Sequence, residues 1–313
     1  MTPALFADIV IEVCLPIFAV VGMGWLIDRR FQLSLETLVK VNLYVLVPCF
    51  IFVRLISTPM SGGEAAGIIG SAFTVVLLGG GLALTVARLL KMSLPARKSL
   101  ALASMFGNCG NFGIPLVTLA FGPEGAAIQV YVLVTMNVST FTVGLLLATS
   151  DESHGGKHWK ALLKLLRQPT LYAVLLAVTC KSLDLHPEAR TWLWQPLKMQ
   201  ADALVGVALF TLGVQLSQTR PAPLRTPLLS ALTIRLIAAP LMMWGVTSWA
   251  GFAPLTSAVL ILTAGAPTAV NTALLAHEFK GDAAFATASV YYSTLLSLVT
   301  TSLSLTLLRL WLV

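Results

Sequence analysis

The sequence predicts an all-α integral membrane protein of ten transmembrane helices, arranged as two inverted five-helix repeats in which the fourth and ninth helices are broken. Three observations carry that prediction. Hydrophobic residues make up 57% of the 313-residue chain and charged residues 11%, with a mean hydropathy of +0.87, outside the range of soluble globular domains. The basic residues gather in alternate loops. Two helix-breaking clusters interrupt apolar runs at corresponding places in the two halves: Gly107-Asn108-Cys109-Gly110-Asn111-Phe112-Gly113-Ile114-Pro115, and Gly265-Ala266-Pro267 followed by Asn271.

Apolar runs bounded by Gly, Pro and charged residues place the first five spans at residues 6 to 27, 38 to 58, 66 to 89, 98 to 120 and 125 to 149. The first contains Asp8 and Glu12, with no basic flank before its apolar run, so it reads as a retained span and not a cleavable signal. Residues 150–167 form a linker that contains His154-Gly155-Gly156-Lys157-His158. The two glycines argue against the helix that a histidine metal pair at this spacing needs, so no metal site is assigned. The second five spans fall at 168 to 184, 200 to 217, 227 to 250, 256 to 276 and 284 to 311. Between the sixth and seventh, Lys181 to Lys198 carries Trp192 and Trp194, which suits a helix or turn lying at the membrane interface. Cys14, Cys49, Cys109 and Cys180 all lie within apolar spans without pair spacing and read as buried thiols.

Orientation follows from the loops. Arg29 and Arg30, then Arg88, Lys91, Arg97 and Lys98, then Lys157, Lys160, Lys164 and Arg167, then Arg220 and Arg225, then Lys280 occupy every second connection. The connections Ser57 to Ala65, Phe121 to Glu124 and Ala250 to Leu255 carry no Lys or Arg. The positive-inside bias places the first set in the cytoplasm and both termini on the periplasmic or extracellular side of a bacterial inner membrane. The net charge of +7 and pI near 9.4 are thereby explained by membrane insertion, with no nucleic-acid partner required.

Five spans per half make the second half cross in the opposite sense, and several matches fall in register. Gly113-Ile114-Pro115 answers Gly265-Ala266-Pro267, Pro123-Glu124-Gly125-Ala126-Ala127 answers Lys280-Gly281-Asp282-Ala283-Ala284, and Pro16 answers Pro169. Phe50 to Ser57 overlays Phe210 to Ser217. Inverted repeats with interrupted helices are a transporter pattern in which the substrate lies at the interruptions.

At each break, proline removes a backbone donor while glycine and asparagine tolerate non-helical conformations. Two half-helix N-termini meeting at mid-membrane form a site for an anion, most naturally a carboxylate. Asn108, Asn111 and Asn271 add amides that donate to a carboxylate or accept from a protonated one, with no fixed charge in the bilayer. The candidate substrate-binding set is Asn108, Asn111, Gly113, Pro115, Gly265, Pro267 and Asn271, joined by Asn137, Gln215 and Arg235. The alternative for the amides is interhelical bonding, and for Arg235, eight residues into the eighth span, snorkelling or an ion pair. No Asp or Glu accompanies either break, which argues against a carboxylate-based proton relay, although backbone carbonyls and hydroxyls can bind sodium unaided. All four histidines lie in loops or at span ends, which leaves no buried base for an intramembrane enzyme.

The chain resembles the auxin efflux carrier family of membrane transporters, in the bacterial branch that includes proteins assigned as malate and malonate permeases. The resemblance rests on Leu15-Pro16-Ile17-Phe18 with Gly22 and Gly24, Val41-Asn42 to Pro48, Gly107-Asn108 to Pro115-Leu116, Leu209-Phe210 to Gly213, Arg235 to Pro240, and Ala266-Pro267 to Asn271, and spans nearly the whole chain. It implies that helices four and nine cross at their prolines. It also implies a scaffold of helices 1, 2, 6 and 7, a mobile transport domain of helices 3 to 5 and 8 to 10, elevator-like alternating access and a homodimer. The asparagine seven residues before the crossover proline contacts substrate in the plant carriers, and Asn108 holds that place. The long cytoplasmic loop of the plant carriers is missing, so regulation through it is not implied. The expected function is secondary active or facilitative transport of small carboxylate anions, malate or malonate among them, without an organic cofactor and with Na+ or H+ as the candidate coupling ion. The alternative is a sodium-coupled organic-anion symporter of the bile-acid-transporter type.

Overall fold

A computed structural model describes residues 3–58, 60–148, 168–279 and 281–312; the linker 150–167, with His154 and His158, lies outside the described residues. The described chain is all helical: α1 Phe6–Phe31, α2 Leu35–Ser57, α3 Gly62–Leu89, α4 Leu94–Met105, α5 Cys109–Ala148, α6 Pro169–Ser182, α7 Thr191–Gln218, α8 Thr226–Ala250, α9 Pro254–Ala264, α10 Val270–Glu278 and α11 Ala283–Leu312. Among the described residues seven helices (α1, α2, α3, α5, α7, α8 and α11) are long and apolar enough to cross a membrane, and α6 and α9 are shorter apolar helices. This is a multi-pass membrane protein.

Local chemistry sets the ends. Ser34 and Ser61 accept from the backbone N–H groups of Thr37 and Glu64, both at 3.2 Å, and so open α2 and α3. Prolines occupy the first turns of α4, α6, α8 and α9, where their missing N–H costs nothing. Gly251, with φ 68°, closes α8. α7 begins at Thr191, so Trp192 and Trp194 form its first turn.

Four helices widen into a π-turn two residues ahead of a proline: Val10–Cys14 before Pro16, Asn42–Leu46 before Pro48, Cys109–Gly113 before Pro115, and Ile234–Ala238 before Pro240. A proline ring collides with the carbonyl four residues back and has no N–H to offer it. One extra residue in the preceding turn moves that carbonyl aside, so the helix continues.

α5 is not straight. Gly122 sits at φ 66°, ψ −157°, directly before Pro123. Gln129 Nε2 nonetheless donates to the Cys109 carbonyl at 2.8 Å, whereas 20 residues of straight helix would separate them by about 30 Å. The chain therefore doubles back at Gly122, and limbs 109–121 and 123–148 lie antiparallel. The fourth and fifth sequence-predicted spans part at this point.

α1 and α7 pack backbone to backbone. A Cβ at Gly24 would lie 2.2 Å from the Phe210 carbonyl oxygen, and one at Gly213 would lie 2.0 Å from that of Val21. Each glycine makes room for the other helix's main chain, the usual means of close approach in lipid.

Candidate functional site

α4 ends at Met105 and α5 starts at Cys109; α9 ends at Ala264 and α10 starts at Val270. The two non-helical stretches pair with each other. Gly107 and Thr268 form an isolated antiparallel bridge, in which Asn108 N–H donates to the Pro267 carbonyl at 2.6 Å and Ala269 N–H to the Phe106 carbonyl at 2.9 Å. Far from water each of these groups would otherwise be orphaned. Thr268 adds a hydroxyl bond to the Ala103 carbonyl at 3.0 Å, and its N–H donates to Ser293 Oγ of α11 at 2.9 Å.

Two helix C-termini, those of α4 and α9, converge on one side of this bridge. Arg235 fills the space between them. Its guanidinium donates to the carbonyls of Ser104 and Met105 at 3.3 Å each, to Ala266 at 2.9 Å and to Ala264. The side chain is 1% exposed. A cation against the negative ends of two helix dipoles is favourable, and a planar fork of donors suits a ring of carbonyls better than an ammonium does. Gly107 lets it in, since a Cβ there would lie 2.7 Å from Arg235 Nη2.

The N-terminal ends of α5 and α10 border a cavity of about 330 Å³. Its polar lining is Asn42, Asn108, Asn111, Asn137, Thr140, Gln168, Thr170 and Asn271; among the described residues no Asp, Glu, Lys, Arg or His lines it. Asn108 caps the turn that opens α5, its Oδ1 accepting from Asn111 N–H at 3.1 Å. α10 has no side-chain cap, and its first residues, Val270 and Asn271, line the cavity with the positive end of the dipole behind them. A volume of this order takes a small organic ligand. A second cavity of about 440 Å³, among Pro240, Trp244, Leu303 and Trp311, is lined almost wholly by apolar groups and has little to offer an anion.

Gln129, fully buried on the second limb of α5, holds the two breaks together: its Nε2 donates to the Cys109 carbonyl at 2.8 Å and its Oε1 accepts from Thr263 Oγ1 of α9 at 2.7 Å. Sequence reasoning selected Asn137 on the same limb and Gln215 on α7 and passed over Gln129. The available signal was an uncharged amide in an apolar run, which in lipid must turn inward.

Of the sequence-predicted set, Asn108, Asn111, Asn137 and Asn271 line the one cavity together. Pro267 supplies the carbonyl of the bridge, and Gly113 packs against Gln129, where a Cβ would stand 2.7 Å from Nε2. Pro115 lies in the first turn after the π-turn of α5 and is buried; Gly265 lies against Pro240 of α8. Arg235 sits behind the bridge, and Gln215, on α7, is not part of the lining. Asn42, a lining residue whose buried amide oxygen has no partner, was not among the candidates.

A multi-pass helical bundle with two paired helix breaks and an amide-lined cavity beside them is the build of a membrane transporter. The family profile described as membrane transport protein matches residues 9–305, and the chain belongs to that family, the auxin efflux carrier family. It is 27% identical over 297 residues to an uncharacterized transporter of Methanothermobacter thermautotrophicus, covering 92% of this chain and 95% of the other. It is 23% identical over 310 residues to a protein of Rhizobium meliloti described as "Putative malonate transporter", covering 94% of each.

Proposed function

We infer that the protein carries small carboxylate anions, malonate or malate among them, across the bacterial inner membrane, binding them in the cavity beside the paired breaks. The observation that carries this reading is the cavity itself: five asparagines and the positive ends of two helices around a space that no acidic side chain of the described residues lines. Such a site stabilises a carboxylate through neutral donors, so no counter-charge stays buried when the ligand leaves. The R. meliloti relative's description supports malonate as a first substrate to try.

The mechanism proposed with it is alternating access of the elevator kind. Ten spans in two inverted repeats cross at Pro115 and Pro267, with helices 1, 2, 6 and 7 as scaffold, helices 3 to 5 and 8 to 10 as the moving part, and a homodimer formed through the scaffold. The glycine-mediated contact of α1 with α7 supports a rigid scaffold. Both termini face the periplasm. Moving one negative charge out along an inside-negative potential gains about 2.3 kcal/mol per 100 mV, so export needs no coupling ion, whereas uptake of a dianion needs Na+ or H+. The family match does not favour the bile-acid-type symporter.

The test is counterflow of radiolabelled malonate and malate in proteoliposomes, with and without sodium, for the intact protein, Asn108→Ala and Asn271→Ala. Exchange that both substitutions abolish in folded protein is the expected result. Undiminished exchange in both variants would sink the site, and no exchange of either acid by the intact protein would remove the dicarboxylate assignment.

A further inference from the structure

We propose that Asn42 is a substrate-contacting specificity residue, whose Oδ1 accepts a hydrogen bond from an O–H of the transported acid while Asn108 Nδ2 donates to its carboxylate. The proposal rests on the reading of the amide-lined cavity as the substrate site, and adds to it the class of acid preferred.

Asn42 and Asn108 both line the cavity, are 4% and 6% exposed, and each leaves one buried amide atom without a partner: Oδ1 in the first, Nδ2 in the second. Hydrogen-bond logic fixes which atom is which. Thr211 spends its hydroxyl proton on the Val207 carbonyl at 2.7 Å, so toward Asn42 it can only accept, and it does so from Nδ2 at 2.9 Å. The Asn42 oxygen is left over. Asn108 in turn uses its oxygen to accept from the Asn111 backbone N–H at 3.1 Å, which can only donate, so its nitrogen is left over. The two spare atoms are complementary, yet they do not bond to each other. Leaving a buried amide atom unpaired is costly, and residues in this state at a cavity call for a ligand to complete them. Asn42 also opens the π-turn Asn42–Leu46, a distortion that recurs at functional positions in helices.

A ligand that satisfies both atoms must offer an acceptor and a donor. A fully ionised dicarboxylate offers acceptors only and would set a lone pair against Asn42 Oδ1, and among the described residues no cationic side chain lines the cavity to hold its second charge. An anion that carries an O–H beside its carboxylate fits. The O–H has two sources: a hydroxyl beside the carboxylate, as in malate, or a second carboxyl carried in its protonated form.

The experiment measures half-saturating concentrations for counterflow at one pH in two ligand pairs. Malate against succinate reads the hydroxyl. Malonamate against malonate reads the protonated carboxyl, because the amide keeps its N–H permanently. The intact protein should favour the donor-bearing member of at least one pair by about tenfold, and Asn42→Leu should bring that ratio close to one, mainly by weakening the donor-bearing ligand. The pair that responds identifies the source. Equal weakening of both members, with ratios unchanged, assigns Asn42 a packing role and overturns the proposal while leaving the cavity as the site. Failure of the intact protein to recognise any of the four acids overturns this proposal and removes the dicarboxylate assignment with it. If Asn42→Leu does not fold, Thr211→Val, which removes the hydroxyl that orients Asn42, must lower the same ratio; an unchanged ratio again overturns the proposal.

Discussion

The backbone N–H of Asn108 donates to the carbonyl of Pro267 at 2.6 Å, joining two helix breaks 159 residues apart in the chain. The bond uses main chain only, which frees the Asn108 side chain to cap α5 and border the cavity. Asn108→Ala keeps the bridge and loses the cap, at about 1 kcal/mol. A small fall in melting temperature in detergent is therefore expected together with a loss of counterflow of about tenfold or more. A large fall in melting temperature with transport retained in the surviving protein would count against the assigned role.

Arg235 is expected to matter for stability before it matters for transport. Arg235→Met leaves four carbonyls at two helix ends without a donor and should cost about 3 kcal/mol or more, whereas Arg235→Lys keeps the charge, loses the fork and should lose less. Gly107→Ala pushes a methyl into the guanidinium and should cost about 1–3 kcal/mol. Thermal unfolding of the three variants checks the order Met worse than Lys, and near-normal melting of Arg235→Met would refute the carbonyl clamp.

Gln129→Leu removes both bonds between the fourth and ninth breaks and should destabilise by about 2 kcal/mol; Thr263→Val, which removes one of them at nearly constant shape, should cost about 1 kcal/mol. Because the two residues share one bond, the double variant should be less destabilised than the two single losses added together. Strict additivity would show that the bond contributes nothing.

The α1–α7 contact can be tested with neighbouring glycines. Gly24→Ala and Gly213→Ala place a Cβ at 2.2 Å and 2.0 Å from backbone oxygens of the other helix, which must then move apart. Each should cost about 1–3 kcal/mol or more. Gly22→Ala, with open space within 4 Å, should melt like the intact protein. Equal melting of Gly22→Ala and Gly24→Ala would argue against the close contact.

Orientation is open to a labelling test. In intact cells a thiol reagent that does not cross the membrane should react with Ser61→Cys and spare Lys91→Cys until the membrane is opened. The native thiols leave a low background, since Cys14, Cys109 and Cys180 are buried and Cys49 partly so. The reverse pattern would invert the topology.

Membrane residence, the positions of the apolar runs and the two broken helices were legible in the sequence, because each follows from residue chemistry acting within a few turns. Apolar length sets a span, and a cluster of glycine, asparagine and proline weakens a helix wherever it stands. The same reasoning brought Asn108, Asn111, Asn137 and Asn271 forward, since an uncharged amide in an apolar run has to face inward. It could not separate them from Gln215, which has the same chemistry and lies away from the cavity lining, nor single out Gln129, whose partners Cys109 and Thr263 are 20 and 134 residues distant. It left Arg235 open between cavity lining, an ion pair and snorkelling, because a guanidinium's role depends on which carbonyls arrive around it.

By itself, then, the sequence determined that this chain lives in a bilayer, where it crosses and where its helices fail. Only the tertiary structure decided that the two failures pair through Asn108 and Pro267, that Arg235 closes the carbonyl side, and that Asn42 and Asn108 keep complementary atoms unspent beside one cavity. The physical reason is range. Hydropathy and backbone propensity act locally and leave their mark residue by residue, whereas hydrogen-bond satisfaction in a medium without water is settled by partners from anywhere in the chain.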